Sequence, residues 1–123
     1  LRYHGMAPTV SQLADEGIIT PRSVQQIQAY DAGIAFARTE GIIPAPETTH
    51  ALACVLEEAQ KAKLEGKEKV ILVNWSGHGL LDFGAYEKYF SGELINYEMT
   101  DDEICRSEKV FENFPKPAHL KSR

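Results

Sequence analysis

The feature that most constrains this chain is the run Lys69-Val70-Ile71-Leu72-Val73-Asn74, followed closely by Ser76-Gly77-His78-Gly79. Consecutive aliphatic residues leave no polar face. The run therefore predicts a strand covered on both sides, as in a parallel sheet. A long helical pattern precedes it and a shorter one, from Leu81 or Asp82 to about Ser91, follows it. Helix, buried strand, Gly-rich turn and helix is the order of an α/β fold, in which ligands gather at the C-terminal ends of strands. The expected architecture is three-layer αβα with a mostly parallel sheet. Residues 1–92 are expected to belong to that domain, and residues 93–123 to form a C-terminal helix and polar tail.

The remaining elements are read from periodicity and punctuation. Met6 to Glu16 predicts a first helix, with Pro8 in its first turn, Val10, Leu13 and Ala14 on one face, and Gly17 as a stop. Val24-Gln25-Gln26-Ile27-Gln28 alternates partly and predicts a short strand to Ala29. Tyr30 to Glu40 predicts a helix that ends at Gly41, with Gly33 inside it as a place for another backbone to come close. Pro44 and Pro46 keep the stretch from Ile42 to Pro46 extended and out of any central strand. The helix after them is expected to run to about Glu65, capped by Thr48 or Thr49, with Ala51, Leu52, Val55, Leu56 and Ala59 as its buried stripe. Thr100-Asp101-Asp102-Glu103 predicts a capping box, with Ile104, Val110, Phe111 and Phe114 packing back on the body.

Composition excludes several classes. The 123 residues are at most one domain, and a chain of this size buries a modest core. A net charge of −5 argues against a nucleic-acid surface. No apolar run approaches the ~20 residues of a membrane helix. Cys54 and Cys105 form no CxxC pair, so reducing, cytoplasmic surroundings are expected. His4, His50, His78 and His119 make no metal spacing with them. The chain opens at Leu1 with no leader-like stretch, and is expected to be a piece of a longer protein.

Candidate chemistry lies in three places, one of them the opening Arg2-Tyr3-His4-Gly5. In Asn74-Trp75-Ser76-Gly77-His78-Gly79 the glycines let backbone approach a ligand, and Ser76 offers a hydroxyl that donates or accepts. An ordinary tight turn would look the same. In Glu40-Gly41-Ile42-Ile43-Pro44-Ala45-Pro46-Glu47-Thr48-Thr49-His50 a proline-stiffened segment delivers Glu47 to a helix start. There it could serve a site or simply favour the helix dipole. His50 reads equally as a packed helix-face histidine.

Three stretches together resemble the C-terminal part of the tryptophan synthase β-chain family, nearest to its divergent β-like second branch. They are Leu1 to Pro8, Ala37 to Ala51, and Val73 to Gly79. The resemblance runs from Leu1 to about Glu93. It implies the large domain of a fold-type II pyridoxal 5'-phosphate enzyme, which makes L-tryptophan from L-serine and indole by β-replacement with the cofactor as electron sink. It further implies that Ser76 faces the pyridine nitrogen, that Glu47 lies beside the ring as a catalytic and cofactor-binding residue, and that Gly77 lets the loop come close. The backbone carbonyls of Tyr3 and Gly5 match positions that bind a monovalent cation. A homodimer of the full-length protein is implied; an α-subunit is left open, since the surfaces that would decide it are largely upstream. The family's cofactor-binding lysine and phosphate loop also lie upstream, so this chain alone is not expected to hold the cofactor covalently. Two alternatives stand beside this one. One is a stand-alone α/β binding or assembly domain. The other is a related fold-type II lyase of the threonine synthase or serine dehydratase kind.

Two substrate-side departures matter. The common branch has Asp where this chain has Arg2, and Arg where it has His78. Arg2 inverts the local charge and suits a phosphorylated serine. The complete enzyme is therefore expected to turn over O-phosphoserine faster than serine; equal or better use of plain serine in parallel assays rules this out.

Overall fold

Helices with small residues on their facing sides can approach closely. Here α2 (Gln26–Glu40) and α3 (Thr48–Glu65) do so. The computed structural model describes residues 6–115. Its core is the seam between these helices, where Ala32, Leu52 and Ala53 are buried and Val24, Phe36 and Trp75 pack against them. Gly33 sets the separation: a Cβ there would lie 2.4 Å from the Thr49 Cγ2 and 3.3 Å from the Pro44 Cγ. Thr49 is wholly buried and its hydroxyl donates to the Pro46 carbonyl, so the methyl side can meet α2 without stranding a polar atom.

The helix expected first is α1 (Pro8–Asp15), with proline in its first turn and Gly17 in the left-handed region just beyond it. The expected strand at Val24–Ala29 is corrected. Its residues 26–29 are the first turn of α2, and Val24 and Gln25 lie just before it. Val24 and Ile27 are three apart, and Ile27, Tyr30 and Ile34 continue that spacing, so the helical period prevails over a brief alternation. The start of α2 is capped from far away in sequence: the Ile27 N–H donates to the Asn96 Oδ1 at 3.1 Å, and the Gln26 side chain donates to the Ile95 carbonyl. Neither Thr48 nor Thr49 caps α3, which is a second correction. Glu47 holds the cap position with helical dihedrals and both threonine hydroxyls turn elsewhere.

The expected sheet is absent among the described residues, where no strand pairs with another. Residues 67–78 form no helix, and over 70–75 burial alternates with a two-residue period. Ile71, Val73 and Trp75 are half-buried on the helical side, while Val70 is 99% and Leu72 95% exposed. The segment has the geometry of a strand without a neighbour to complete its ladder. The Lys69 ammonium ties its start to the Glu58 carboxylate on α3 at 3.4 Å.

After a single 3₁₀ turn at Gly79–Leu81, α4 (Phe83–Phe90) packs Tyr86 edge-on to Tyr30 of α2, ring centres 5.2 Å apart. α5 (Asp101–Glu108) carries the expected capping box between Thr100 and Glu103. The apolar residues on and after it do not pack on the body as expected: Ile104, Val110, Phe111 and Phe114 are all exposed. Charged side chains occupy most of α5, so no apolar stripe exists to dock it. Cys54 and Cys105 are free. Residues 116–123 of the expected tail lie outside the described residues.

A Gly33→Ala variant gains helix propensity worth about 1 kcal/mol. It also meets the Thr49 methyl at a seam with no slack, where overpacking costs about 1–3 kcal/mol or more. Chemical denaturation should show a net loss of stability; a midpoint at or above that of the parent would mean that the seam opens freely.

Candidate functional site

The proline segment and the Gly-rich turn, far apart in sequence, are brought together. Pro44 and Pro46 offer carbonyl acceptors but no N–H donors, so at those positions the backbone is held only through oxygen. The Gly79 N–H donates to the Ile43 carbonyl at 2.9 Å, and the Tyr86 hydroxyl donates to the Pro44 carbonyl at 2.6 Å. Gly79 is required by space: a Cβ would stand 2.4 Å from the Pro44 oxygen and 2.7 Å from the Ile43 Cγ2. Gly77 is required by conformation as well, since its φ is +68° and a Cβ would come within 3.2 Å of the Ala45 Cβ.

Ser76 sits at the point of convergence. The Thr48 hydroxyl donates to the Ser76 carbonyl, and its oxygen lies 3.4 Å from the Ser76 Oγ. Trp75 braces the other side, with its indole N–H donating to the Gly77 carbonyl at 3.1 Å and its ring 4.5 Å from that of Phe36. The backbone around Ser76 is thus held by α2, α3 and the proline segment, while Ser76 itself is exposed. Glu47, also exposed, is the residue immediately before Thr48. A hydroxyl and a carboxylate are therefore presented from adjoining backbone at the C-terminal end of an extended segment.

His78 is exposed on the same turn, and its Nδ1 accepts the Leu80 N–H at 3.3 Å, which leaves the proton of the neutral ring on Nε2. His50 uses its ring differently. Its Nδ1 faces the Glu47 carbonyl at 3.2 Å, and a carbonyl only accepts, so that nitrogen carries the proton. Arg2, Tyr3 and Gly5 lie outside the described residues. No cluster able to hold a metal ion occurs among the described residues. Lys61 and Lys69 are paired with Glu58, and Lys67 with Glu65. Lys69 is at the opposite end of the extended segment from Ser76, about 20 Å away at strand rise.

Sequence reasoning did not single out Thr48, Trp75 or Tyr86 as site supports. Thr48 was legible only as a cap, and Tyr86 only as part of a helix; neither carries a local signal of its distant partner. Tyr86 and Tyr30 also mark the electrostatics. Burial pushes the Tyr86 phenol up to about 12, and the negative charges of the neighbouring Tyr30 phenolate, Asp82 and Glu47 add to it. Tyr30 is raised in the same way, first by burial and then by Asp82 and Glu47. A cavity of about 370 Å³ lies between α2 and α4, lined by Gln26, Tyr30, Gly84, Ala85, Lys88 and Leu94. It shares no lining residue with the Ser76 assembly.

No protein-family model matches the chain. Individual relatives do. It is 52% identical over 101 residues to tryptophan synthase beta chain 2 of Pyrococcus abyssi, covering 82% of this chain and 23% of that protein. The chain belongs to the tryptophan synthase beta-chain family. Tryptophan synthase beta chain 2 of Methanosarcina mazei is 55% identical over 94 residues, 76% of this chain and 21% of the relative. The tryptophan synthase beta chain of Thermococcus onnurineus is 50% identical over 108 residues, 88% and 24% respectively. The chain thus spans about a quarter or less of the length of these members of the tryptophan synthase beta family. Among the described residues no helix is long and apolar enough to cross a membrane.

Because folding favours the neutral Tyr86 phenol, the native state holds its proton more tightly than the unfolded chain. That contribution is intact below pH 10 and is lost as pH rises toward 12. Among the tyrosines raised here, phenolate absorbance should show a last-titrating one that Tyr86→Phe removes, together with about 1 kcal/mol of stability from the bond to Pro44. Titration of every tyrosine together near pH 10 would contradict this.

Proposed function

We propose that this chain supplies one wall of the pyridoxal 5'-phosphate site of a tryptophan synthase beta-type enzyme that joins L-serine, or O-phosphoserine, to indole. The observation that carries the proposal is the convergence of the Ser76-Gly77 turn on the backbone that bears Glu47. The donor set suits the group. A pyridine nitrogen needs one neutral hydrogen-bonding partner, and Ser76 is an exposed hydroxyl on a fixed backbone. Gly77 and Gly79 let the turn lie directly on Ala45, Pro44 and Ile43, which fixes where Ser76 stands.

When bound, the cofactor withdraws electrons from the substrate's α-carbon. The protein's part is to tune and orient. Ser76 would partner the ring nitrogen without the negative charge that would hold it protonated, which favours departure of the β-substituent over return of the α-proton. Glu47 would lie beside the ring and act with Ser76 on that balance. Gly77 allows close backbone approach. His78, from the same turn, and Arg2 would meet the amino-acid substrate, and the carbonyls of Tyr3 and Gly5 would bind a monovalent cation.

In the complete enzyme, residues 70–73 would join a parallel sheet, covering Val70 and Leu72 and completing a three-layer αβα fold-type II domain. Residues 1–92 would form part of that domain and residues 93–123 an appended helix and tail. The enzyme is assigned to the cytoplasm as a homodimer.

In the complete holoenzyme, Ser76→Asp places a carboxylate at the ring nitrogen and should hold it protonated. Tryptophan formation should slow by about tenfold or more, equivalent to about 1.4 kcal/mol in the barrier, and the absorbance of the bound cofactor should shift. Unchanged rate together with an unchanged spectrum rejects Ser76 as the ring partner.

A further inference from the structure

We propose that Thr48 is a positioning residue for Ser76, locking the Ser76–Gly77 peptide and facing the Ser76 hydroxyl only as an acceptor. The proposal rests on the assignment of Ser76 to the ring nitrogen. Thr48 is 3% exposed, so its hydroxyl must find partners inside the protein. A hydroxyl has one proton and two lone pairs. The proton goes to the Ser76 carbonyl. What remains toward the Ser76 Oγ, 3.4 Å away, is lone-pair density.

The carbonyl bond matters because of the residue that follows. A peptide plane preceding a glycine turns over at low cost, since glycine accepts positive and negative φ alike. Gly77 stands at φ +68°. The Thr48 hydroxyl selects one orientation of that plane, and with it the direction from which Ser76 leaves the backbone. The indole N–H of Trp75 on the Gly77 carbonyl holds the next plane.

The second consequence concerns the Ser76 proton. Thr48 cannot donate to the Ser76 Oγ, so Ser76 never has to serve as acceptor to it. The separation of 3.4 Å exceeds the usual 2.7–2.8 Å of such bonds. Thr48 is therefore a weak resting place for the Ser76 proton, and an unprotonated heterocyclic nitrogen outside displaces it. Ser76 is held in place and remains able to donate.

The test uses the complete enzyme. Thr48→Val removes the hydroxyl at nearly constant volume, Thr48→Ser keeps it, and Thr48→Ala replaces the valine variant if that fails to fold. The readouts are the dissociation constant for pyridoxal 5'-phosphate added to apoenzyme and the pH dependence of the bound cofactor's absorbance. Loss of the hydroxyl should weaken cofactor binding by about fivefold, the size of one hydrogen bond, and displace the spectral pH profile. Thr48→Ser should restore both. In a Ser76→Ala background, Thr48→Val should leave the spectrum with no further change. A lowered melting temperature with unaltered cofactor affinity and pH profile means that Thr48 only stabilises the fold, and overturns the proposal. If Ser76→Ala shifts the spectrum while neither Thr48→Val nor Thr48→Ala does, the positioning role alone fails. If Ser76→Ala leaves the spectrum unchanged, the assignment of Ser76 to the ring fails with it.

Discussion

The contact between Gly33 and Thr49 governs the rest of this structure. With no side chain at Gly33, α2 lies directly against the first turn of α3, and the Thr49 methyl fills the space a β-carbon would need. That closeness buries Pro44, Ala45 and Pro46 at the end of the seam. The proline segment then becomes a fixed rail of carbonyl oxygens. Everything on the functional side hangs from it: the Gly79 amide on Ile43, the Tyr86 hydroxyl on Pro44, and Gly77 against Ala45.

This arrangement separates stiffness from exposure. The atoms that fix the turn are backbone groups, the buried hydroxyls of Thr48 and Tyr86, and the indole N–H of Trp75. The atoms offered to solvent are the side chains of Ser76 and Glu47. A hydroxyl that need not hold its own backbone in place is available to a ligand, and a carboxylate at the head of a helix benefits from the partial positive charge there. Tyr30 packs edge-on against Tyr86, which donates to the Pro44 carbonyl, and burial with the nearby charges of Asp82 and Glu47 raises both phenols.

The surface is less complete than the seam. Val70 and Leu72 project from one side of an extended segment whose other side rests on the helices. A period of two in burial, rather than burial on both faces, is what an intended inner strand shows when only one of its two covering layers is at hand. The parallel sheet of the proposed fold-type II domain would cover that side; the chain itself spans about a quarter or less of its relatives' length. Phe111 and Phe114, after the short charged helix α5, pack on each other and are exposed as well.

Much was legible in the residues alone. Pro8, Gly17, Gly41 and Gly66 punctuate helices because their backbone preferences are local, and the Thr100–Glu103 box is a reciprocal bond between neighbours in sequence. The motifs around Glu47 and Ser76 were legible for the same reason, together with the family they point to. The helical spacing of Ile27, Tyr30 and Ile34 was there to be read, but the cap that Asn96 supplies to the start of α2 was not. Nor were the partners of Thr48 and Tyr86, which are reached only once α2, α3 and α4 have packed. Short-range sterics and hydrogen bonds are written in adjacent residues. Which hydroxyl meets which carbonyl across forty positions, and whether an apolar run is paired into a sheet, depends on the surfaces that folding brings alongside.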